Sequence, residues 1–381
     1  MGGRRPAGAR RPRALTEHAF GKTGSFSIGV EEELMILDRE TLALAPAATA
    51  LVQGSSGLEL PGTLKTELFA SVVELTTGVC ASPYEALESL GALRAAAAGL
   101  AAPNGLRLAA AGSHPFSPPE EQEIAPEERY ADFVAWAGVT ARRQGVSGLH
   151  VHVAMPGPEE CLHALEGVLP WLPLLLALSA NSPYLEGRET GHASVRAEIL
   201  ALLPRSGAPP AFASYAEWEA FVTLLRRVGL IADATQLWWD VRPHPRFGTL
   251  EIRAADQPTA LGRTAAYAAL LQALCATVLD RPRRPAGPES RGVYAQNRWA
   301  ALHDGIRAQL IHPERPELVA VPILTAELVD LVLPVARELG TDELLRALDP
   351  SLSEADRQLE VGRASGLLAV CEDLVDRSLP S

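Results

Sequence analysis

The chain has 381 residues, 47% of them hydrophobic and 21% charged, with a formal net charge of −12 and a pI near 5.3. These values describe a soluble globular protein of one large domain or two and argue against nucleic-acid binding, because an acidic surface repels a polyanion. Cys80, Cys161, Cys275 and Cys371 are widely spaced with no CxxC pair, so neither a zinc site nor a disulfide framework is indicated, and a reducing cytoplasm is the simplest compartment.

Residues 1–13 carry Arg4, Arg5, Arg10, Arg11 and Arg13 among Gly, Ala and Pro, without the apolar core of a signal peptide. Residues 1–24 read as a disordered basic tail, and 25–381 as a single domain. Residues 26–37, FSIGVEEELMIL, predict a strand. Alternation then puts Glu31 and Glu33 on one face and Glu32 on the other, with Ile28, Val30, Leu34 and Ile36. Two carboxylates on one face of an apolar strand repel each other unless a cation lies between them, although charge on an exposed edge strand is common.

Residues 42–63 read as loop or broken strand. Lys65–Gly78, KTELFASVVELTTG, carries Glu67 and Glu74. A helix would put both on one side, whereas strand geometry needs a bend between them. Residues 83–101 predict a helix with Ser82 as N-cap and Pro83 in its first turn. A short strand is expected over Leu106–Ala111 and an amphipathic helix over 126–143. Gly148–Ala154, GLHVHVA, alternates strictly, so His150 and His152 share a strand face. Imidazoles so placed suit a metal or a phosphate.

Residues 158–180 are expected to be helical, and their most apolar run, Val168–Ala180, is too short to span a bilayer, contains Pro170 and Pro173, and reads as a buried helix with a proline-marked start. A loop over 181–189, an ordered segment over 194–203 and a helix over 215–229 follow. Gln236–Asp240 and Thr249–Ala254 predict two strands joined by RPHPRFG. In the second, Glu251 and Arg253 share a face, where Glu251 can hold metal and Arg253 can offset phosphoryl charge. Arg188, Arg196 and Arg242 flank loops and have the planar fork that suits carboxylate or phosphate. His114, His192 and His244 lie in loops that could border the pocket, but read as structural. A long apolar helix spans 259–279, and from 289 onward the pattern is helical only. Strands carrying polar residues alternate with helices and lack a Gly-rich phosphate loop, which predicts an α+β protein. Its sheet should be mainly antiparallel, with helices packed on one face.

Glu31, Glu33, Glu67, Glu74, Glu251 and His150 offer more hard ligands than one Mg²⁺ uses. The set suits two or three divalent ions bridging a triphosphate, and hence phosphoryl transfer from Mg-ATP.

GVEEE, KTELFASVVELTTG, GLHVHV, LSANSPYLEGRETGHASVR and TLEIRAADQP, in this order, resemble the carboxylate–amine ligases of the glutamate–cysteine ligase type 2 group. The similarity runs from about Phe26 to about Asp280. The resemblance implies a glutamine-synthetase-like curved antiparallel sheet cradling ATP and two to three Mg²⁺ or Mn²⁺ ions, in a cytoplasmic enzyme. It implies a ligase domain from residue 25 with a mostly helical part from about 289, and a homodimer. Carried over, Glu31, Glu33, Glu67, Glu74, His150 and Glu251 are metal ligands, and His152 lies near phosphate or substrate. Arg253 meets the transferred phosphate, Arg196 and Arg188 bind substrate, and Arg242 contacts the nucleotide. The implied reaction makes an acyl phosphate from an amino-acid carboxylate and ATP, then condenses it with an amine. Neither substrate can be read from these residues, and no membrane or nucleic-acid partner is expected. A guanidino phosphotransferase on the same fold, or a non-catalytic ATP- and metal-binding relative, are the alternatives.

Overall fold

The sheet is built outward from β1 (Ile28–Asp38), in a computed structural model that describes residues 18–351 and 353–379. The arginines of residues 4–13 lie outside the described residues. In chain order follow β2 (Gly62–Thr66), β3 (Val72–Thr77), β4 (Leu106–Ala109), β5 (Gly148–Ala154) and a small separate hairpin of β6 (Tyr184–Leu185) and β7 (Arg188–Glu189). Then come β8 (Val241–His244) and β9 (Thr249–Asp256). The main sheet has 7 strands in the order β2-β3-β1-β5-β9-β8, with β4 paired to the far half of β1. Every pairing within it is antiparallel, and the sheet does not close.

The period of two along these strands decides what each face becomes. Ile28, Val30, Leu34 and Ile36 of β1, Val73 and Leu75 of β3, Leu149, Val151 and Val153 of β5, and Leu250 and Ile252 of β9 enter the main core. Against that face pack α2 (Pro83–Ala101), α5 (Pro158–Val168) and α9 (Leu261–Leu279). α1 (Ala48–Gly54), α3 (Glu128–Ala137), α4 (Val139–Arg142), α6 (Leu172–Ser179), α7 (Val195–Leu200) and α8 (Tyr215–Arg227) fill the connections. The C-terminal part comprises α10 (Pro288–Asp304), a hairpin of β10 (Gln309–Ile311) and β11 (Leu318–Ala320), α11 (Val321–Glu338), α12 (Glu354–Ser365) and α13 (Leu367–Ser378).

Glu32 points into the core, as the alternation requires, and there meets Arg94 of α2. Both are fully buried, and the guanidinium forks the carboxylate with 2.7 Å bonds from Nε and Nη2. Arg94 also donates to the carbonyls of Thr259 (2.7 Å) and Ser378 (2.6 Å), tying the last turn of α13 to the middle of β1. On the opposite face, Met35 and Leu37 continue the row of Glu31 and Glu33 but pack under Val370, Leu374 and Val375 of α13. The C-terminal helices thus roof one end of that face and leave the carboxylate end open.

Ser82 caps α2 as expected, accepting from the Glu85 amide at 3.3 Å. Several other expectations are corrected. Residues 48–54, within the expected loop, are helical because Leu51 and Ala48 find the core. The helix expected over 126–143 breaks at Gly138, whose φ of +57° suits glycine alone. The strand before Thr249 is Val241–His244 rather than 236–240, so part of the expected loop is paired. The region after 289 is not wholly helical, since β10 and β11 pair there. The helical stretch expected over 158–180 is observed as Pro158–Ser179, whose most apolar 18-residue window has a mean hydropathy of 1.6 and is 89% buried inside the fold. Residues 18–20, expected in the tail, pack against the fold. Phe20 is buried against Tyr215, and the Ala19 amide donates to Pro245 O at 2.8 Å. All four cysteines are buried and unpaired.

Candidate active site

The open half of the sheet carries a continuous polar surface, and strand register fixes its members. Glu31 is directly opposite His150 across the β1–β5 pairing, and Glu33 is directly opposite Glu74 across β1–β3. His152 faces Glu251 across β5–β9, and Glu251 faces Arg242 across β9–β8. Glu67 lies in the turn from β2 to β3, so the bend anticipated for a strand arrangement brings it beside Glu74. These residues line one cleft of about 1100 Å³.

Two ligand trios result. Oxygen or nitrogen atoms of Glu31, His150 and Glu251 lie within 4.8 Å of one another, and so do those of Glu33, Glu67 and Glu74. The two trios differ in charge. Burial alone would raise the Glu31 carboxyl, but the adjacent imidazoles of His150 and His152 hold it well below the usual range. Burial would likewise raise Glu251, yet Arg242 and Arg253 hold it well below. This first trio keeps its carboxylates ionised without help. In the second trio burial, together with Glu74 and Glu33, pushes Glu67 well above the usual range. Lys65, whose Nζ donates to Glu74 at 2.9 Å, and the Leu68 amide, which donates to Glu67 at 3.2 Å, offset part of that crowding. A carboxylate group short of positive charge is what a hard divalent cation satisfies, and three oxygens suit Mg²⁺ with its remaining waters. The second trio therefore fits a divalent ion, and the two carboxylates and one imidazole of the first offer a donor set for another.

The surrounding groups are held in place. Gly148 N donates to Glu33 Oε2 at 2.6 Å. His150 Nδ1 is 3.2 Å from Glu31 Oε2. His152 Nδ1 pairs with Thr249 Oγ1 at 2.9 Å, which leaves Nε2 buried with no hydrogen-bond partner among the described residues, 3.7 Å from Glu31 Oε1. Arg253 Nη1 donates to Glu251 Oε1 at 2.5 Å, and its side chain, 20% exposed, lines the cleft.

The arginines expected to bind ligands divide three ways. Arg196, on α7, is buried beneath Gly148 and lines the cleft, with Nη2 donating to Arg253 O at 3.2 Å. Arg242 also lines it, but its guanidinium forks Glu251 at 2.6 and 2.9 Å and donates to the carbonyls of Thr235 and Leu237. Those bonds commit the Arg242 donors to Glu251 and the two carbonyls, an arrangement that gives the expected nucleotide contact no support. Arg188 is exposed on β7 and does not line the cleft, so its expected role as a substrate ligand is not supported. His244, expected to be structural, lines the cleft and stacks on Phe247 with ring centroids 4.3 Å apart. His114 is structural, and His192 packs away from the cleft against Trp299 and His303. Lys65, Gln144 and Trp238 were not anticipated. Alternation along KTELF could have marked Lys65, but nothing local marks the other two.

Comparison with known proteins gives the chain a family and a fold. Residues 27–363 match the family model described as glutamate–cysteine ligase family 2. A Rubrobacter xylanophilus protein, provisionally named glutamate–cysteine ligase 2-3, is 44% identical over 365 residues, covering 94% of this chain and 99% of its own. A Sorangium cellulosum protein provisionally named glutamate–cysteine ligase 2 is 39% identical, covering 93% of this chain and 96% of its own. Among solved structures, a Francisella tularensis glutamate–cysteine ligase in complex with AMP aligns with a TM-score of 0.66 and 16% identity, over 93% of this chain and 88% of that one. A bifunctional glutathione synthetase from Pasteurella multocida gives a TM-score of 0.67 at 15% identity, over 93% of this chain and 51% of that one. Such identities establish a shared fold.

Proposed function

The chain belongs to glutamate–cysteine ligase family 2 and is an ATP-dependent carboxylate–amine ligase, and we propose that the cleft converts an amino-acid carboxylate into an acyl phosphate and joins it to an amine. The observation that carries this assignment of the site is the pair of ligand trios on one sheet face. Glu31, His150 and Glu251 would hold one divalent ion, and Glu33, Glu67 and Glu74 another. Mg²⁺ suits the all-carboxylate trio, and the imidazole of the first also suits Mn²⁺. Bound there, the ions supply charge neutralisation for the phosphates.

The protein's own groups set the orientation. At the β8–β9 turn the stacked pair His244 and Phe247, with Lys22 and Arg246 beside them in the cleft lining, suits a purine and its phosphates. His152 Nε2 and the open edge of Arg253 then face the triphosphate, where donors stabilise charge that grows during transfer. Arg196, at the other end of β5, suits the α-carboxylate of the donor amino acid, glutamate in the reference reaction. Arg242 acts only through Glu251, as a positioning residue. Four buried free thiols are compatible with a cytoplasmic setting.

The test is ADP release from Mg-ATP with glutamate and a panel of amines. Glu33→Gln and Glu251→Gln should each abolish turnover while circular dichroism stays unchanged. Retained turnover in either variant would remove that residue from the ligand set.

A further inference from the structure

The cleft exceeds the roughly 300–1,000 Å³ of a pocket for one small ligand, so it has room for a nucleotide and more. Its end away from the β8–β9 turn has a different chemistry from the rest. Phe133 of α3 and Trp238, just before β8, both line it, with ring centroids 5.5 Å apart. Trp136 stacks on Trp238 at 6.2 Å and is 54% exposed. The guanidinium of Arg205 lies over both indoles, at 5.1 Å from Trp238 and 5.7 Å from Trp136, and its Nε is anchored on Gln236 O at 3.2 Å. Val146, Leu200 and Leu203 complete a wall of carbon at this end. Aromatic rings left half-open beside a polar centre are a surface for a ligand's apolar body.

One polar atom at this end lacks a partner. Gln144 lines the cleft and is 8% exposed. Its Nε2 donates to the carbonyls of Thr140 (3.1 Å) and Ile199 (3.2 Å), which fixes the orientation of the amide. Oε1 is left buried with no hydrogen-bond partner among the described residues. A buried acceptor without a donor costs free energy that an incoming N–H group would recover.

We propose that this end is the acceptor subsite and that it takes a primary amine with an aromatic or bulky apolar side chain, larger than that of cysteine. The inference rests on the ligase reading above. The rings receive the side chain, and Gln144 Oε1 accepts from the amine nitrogen as it approaches the sheet centre. The nitrogen lone pair forms a C–N bond to the carbonyl carbon of the acyl phosphate. The C–O bond to phosphorus's oxygen breaks, and phosphate leaves with the proton lost from nitrogen. The donor carboxylate is placed over the second trio and Arg196, whose surroundings are polar. The nucleotide is placed at the opposite end, so the carbon-rich wall is left to the third reactant.

The experiment measures ADP release by the full chain with Mg-ATP, taking glutamate and then the other common amino acids in turn as donor. Phenethylamine, cysteine and hydroxylamine serve as acceptors. The expected result is a kcat/KM for phenethylamine about tenfold or more above that for cysteine. Trp238→Ala should lower the ratio of phenethylamine to hydroxylamine turnover by about tenfold, and Trp238→Phe should restore most of it. A preference for cysteine, or an unmoved ratio in Trp238→Ala, overturns the proposal. A rise in the KM for ATP alone in that variant also overturns it, by assigning the rings to the nucleotide. No ADP or hydroxamate with any acceptor overturns the ligase reading and this inference together, whereas hydroxamate formation without the amine preference defeats only the inference.

Discussion

Glu33 and Glu74 face each other directly across the β1–β3 ladder, with the partly buried Glu67 close by. Like charges so placed destabilise an antiparallel pair unless a cation intervenes. Titrating Mg²⁺ or Mn²⁺ should therefore raise the melting temperature. At a hundredfold excess over Kd the gain is about 2.7 kcal/mol for one site. Glu74→Gln should blunt that rise while raising the melting temperature of the metal-free protein. A melting curve indifferent to both ions would remove this trio as a metal site.

Arg253 and Glu251 touch, yet the roles proposed for them separate experimentally. Arg253→Ala should lower kcat about 100- to 1,000-fold, the scale seen when one charge-stabilising donor is lost. Mn²⁺ binding, followed by electron paramagnetic resonance, should persist in that variant and weaken in Glu251→Gln. Equal loss of Mn²⁺ in both would make Arg253 another positioning group.

A Cβ at Gly148 would stand 2.0 Å from Arg196 Nη2. Gly148→Ala should displace that guanidinium, raising the KM for the donor amino acid at least about tenfold, with a much smaller change in the KM for ATP. A KM for the donor that does not move would detach Arg196 from the substrate carboxylate.

The buried Glu32–Arg94 pair predicts an asymmetry. Arg94→Met strands a carboxylate in the core and should cost about 3–5 kcal/mol in urea denaturation. Adding Glu32→Leu should recover most of the loss, because an apolar pair of similar volume replaces a desolvated one. If the double variant is no more stable than the single, the guanidinium's bonds to Thr259 and Ser378 carry the effect instead.

Stability should also fall in mild acid, in part through His114. Its Nε2 is 2.9 Å from Leu42 O, and its Nδ1 accepts from the amides of Phe116 (3.2 Å) and Ser117 (2.9 Å), an arrangement open only to the neutral ring. Burial, opposed by the bond to Leu42, pushes it down to about 4. Between about pH 6.5 and 4 the unfolded chain binds a proton that the folded chain refuses. Stability from this group is full above about 6.5 and declines by up to about 3 kcal/mol as pH falls to 4. Urea midpoints across that range should show the decline, and His114→Asn should flatten part of it.

The ligand strands were legible because a period of two is local information: Glu31, Glu33, His150, His152, Glu251 and Arg253 all share the face that alternation gave them. The register that makes them neighbours is not local, and the family resemblance supplied it. What escaped depended on partners distant in the chain. Arg242 reads as an available cation until Glu251 is seen in its fork. Arg188 has the same chemistry as Arg196 but lies on an exposed hairpin. Helix α1 escaped because its short apolar face means little until Ala48 and Leu51 meet the core. Residues 18–20 look like tail until Phe20 finds Tyr215. Gln144 and Trp238 acquire meaning only from the wall they share.

The two trios also differ in when they can exist. Glu33, Glu67 and Glu74 all come from the first three strands and the turn between two of them, which pair as neighbours early in the chain. Glu31, His150 and Glu251 require the ninth strand to have docked. A growing polypeptide emerging from the ribosome could therefore capture its first ion long before the second pocket closes, and the early ion would hold together the very hairpin on which later strands must assemble.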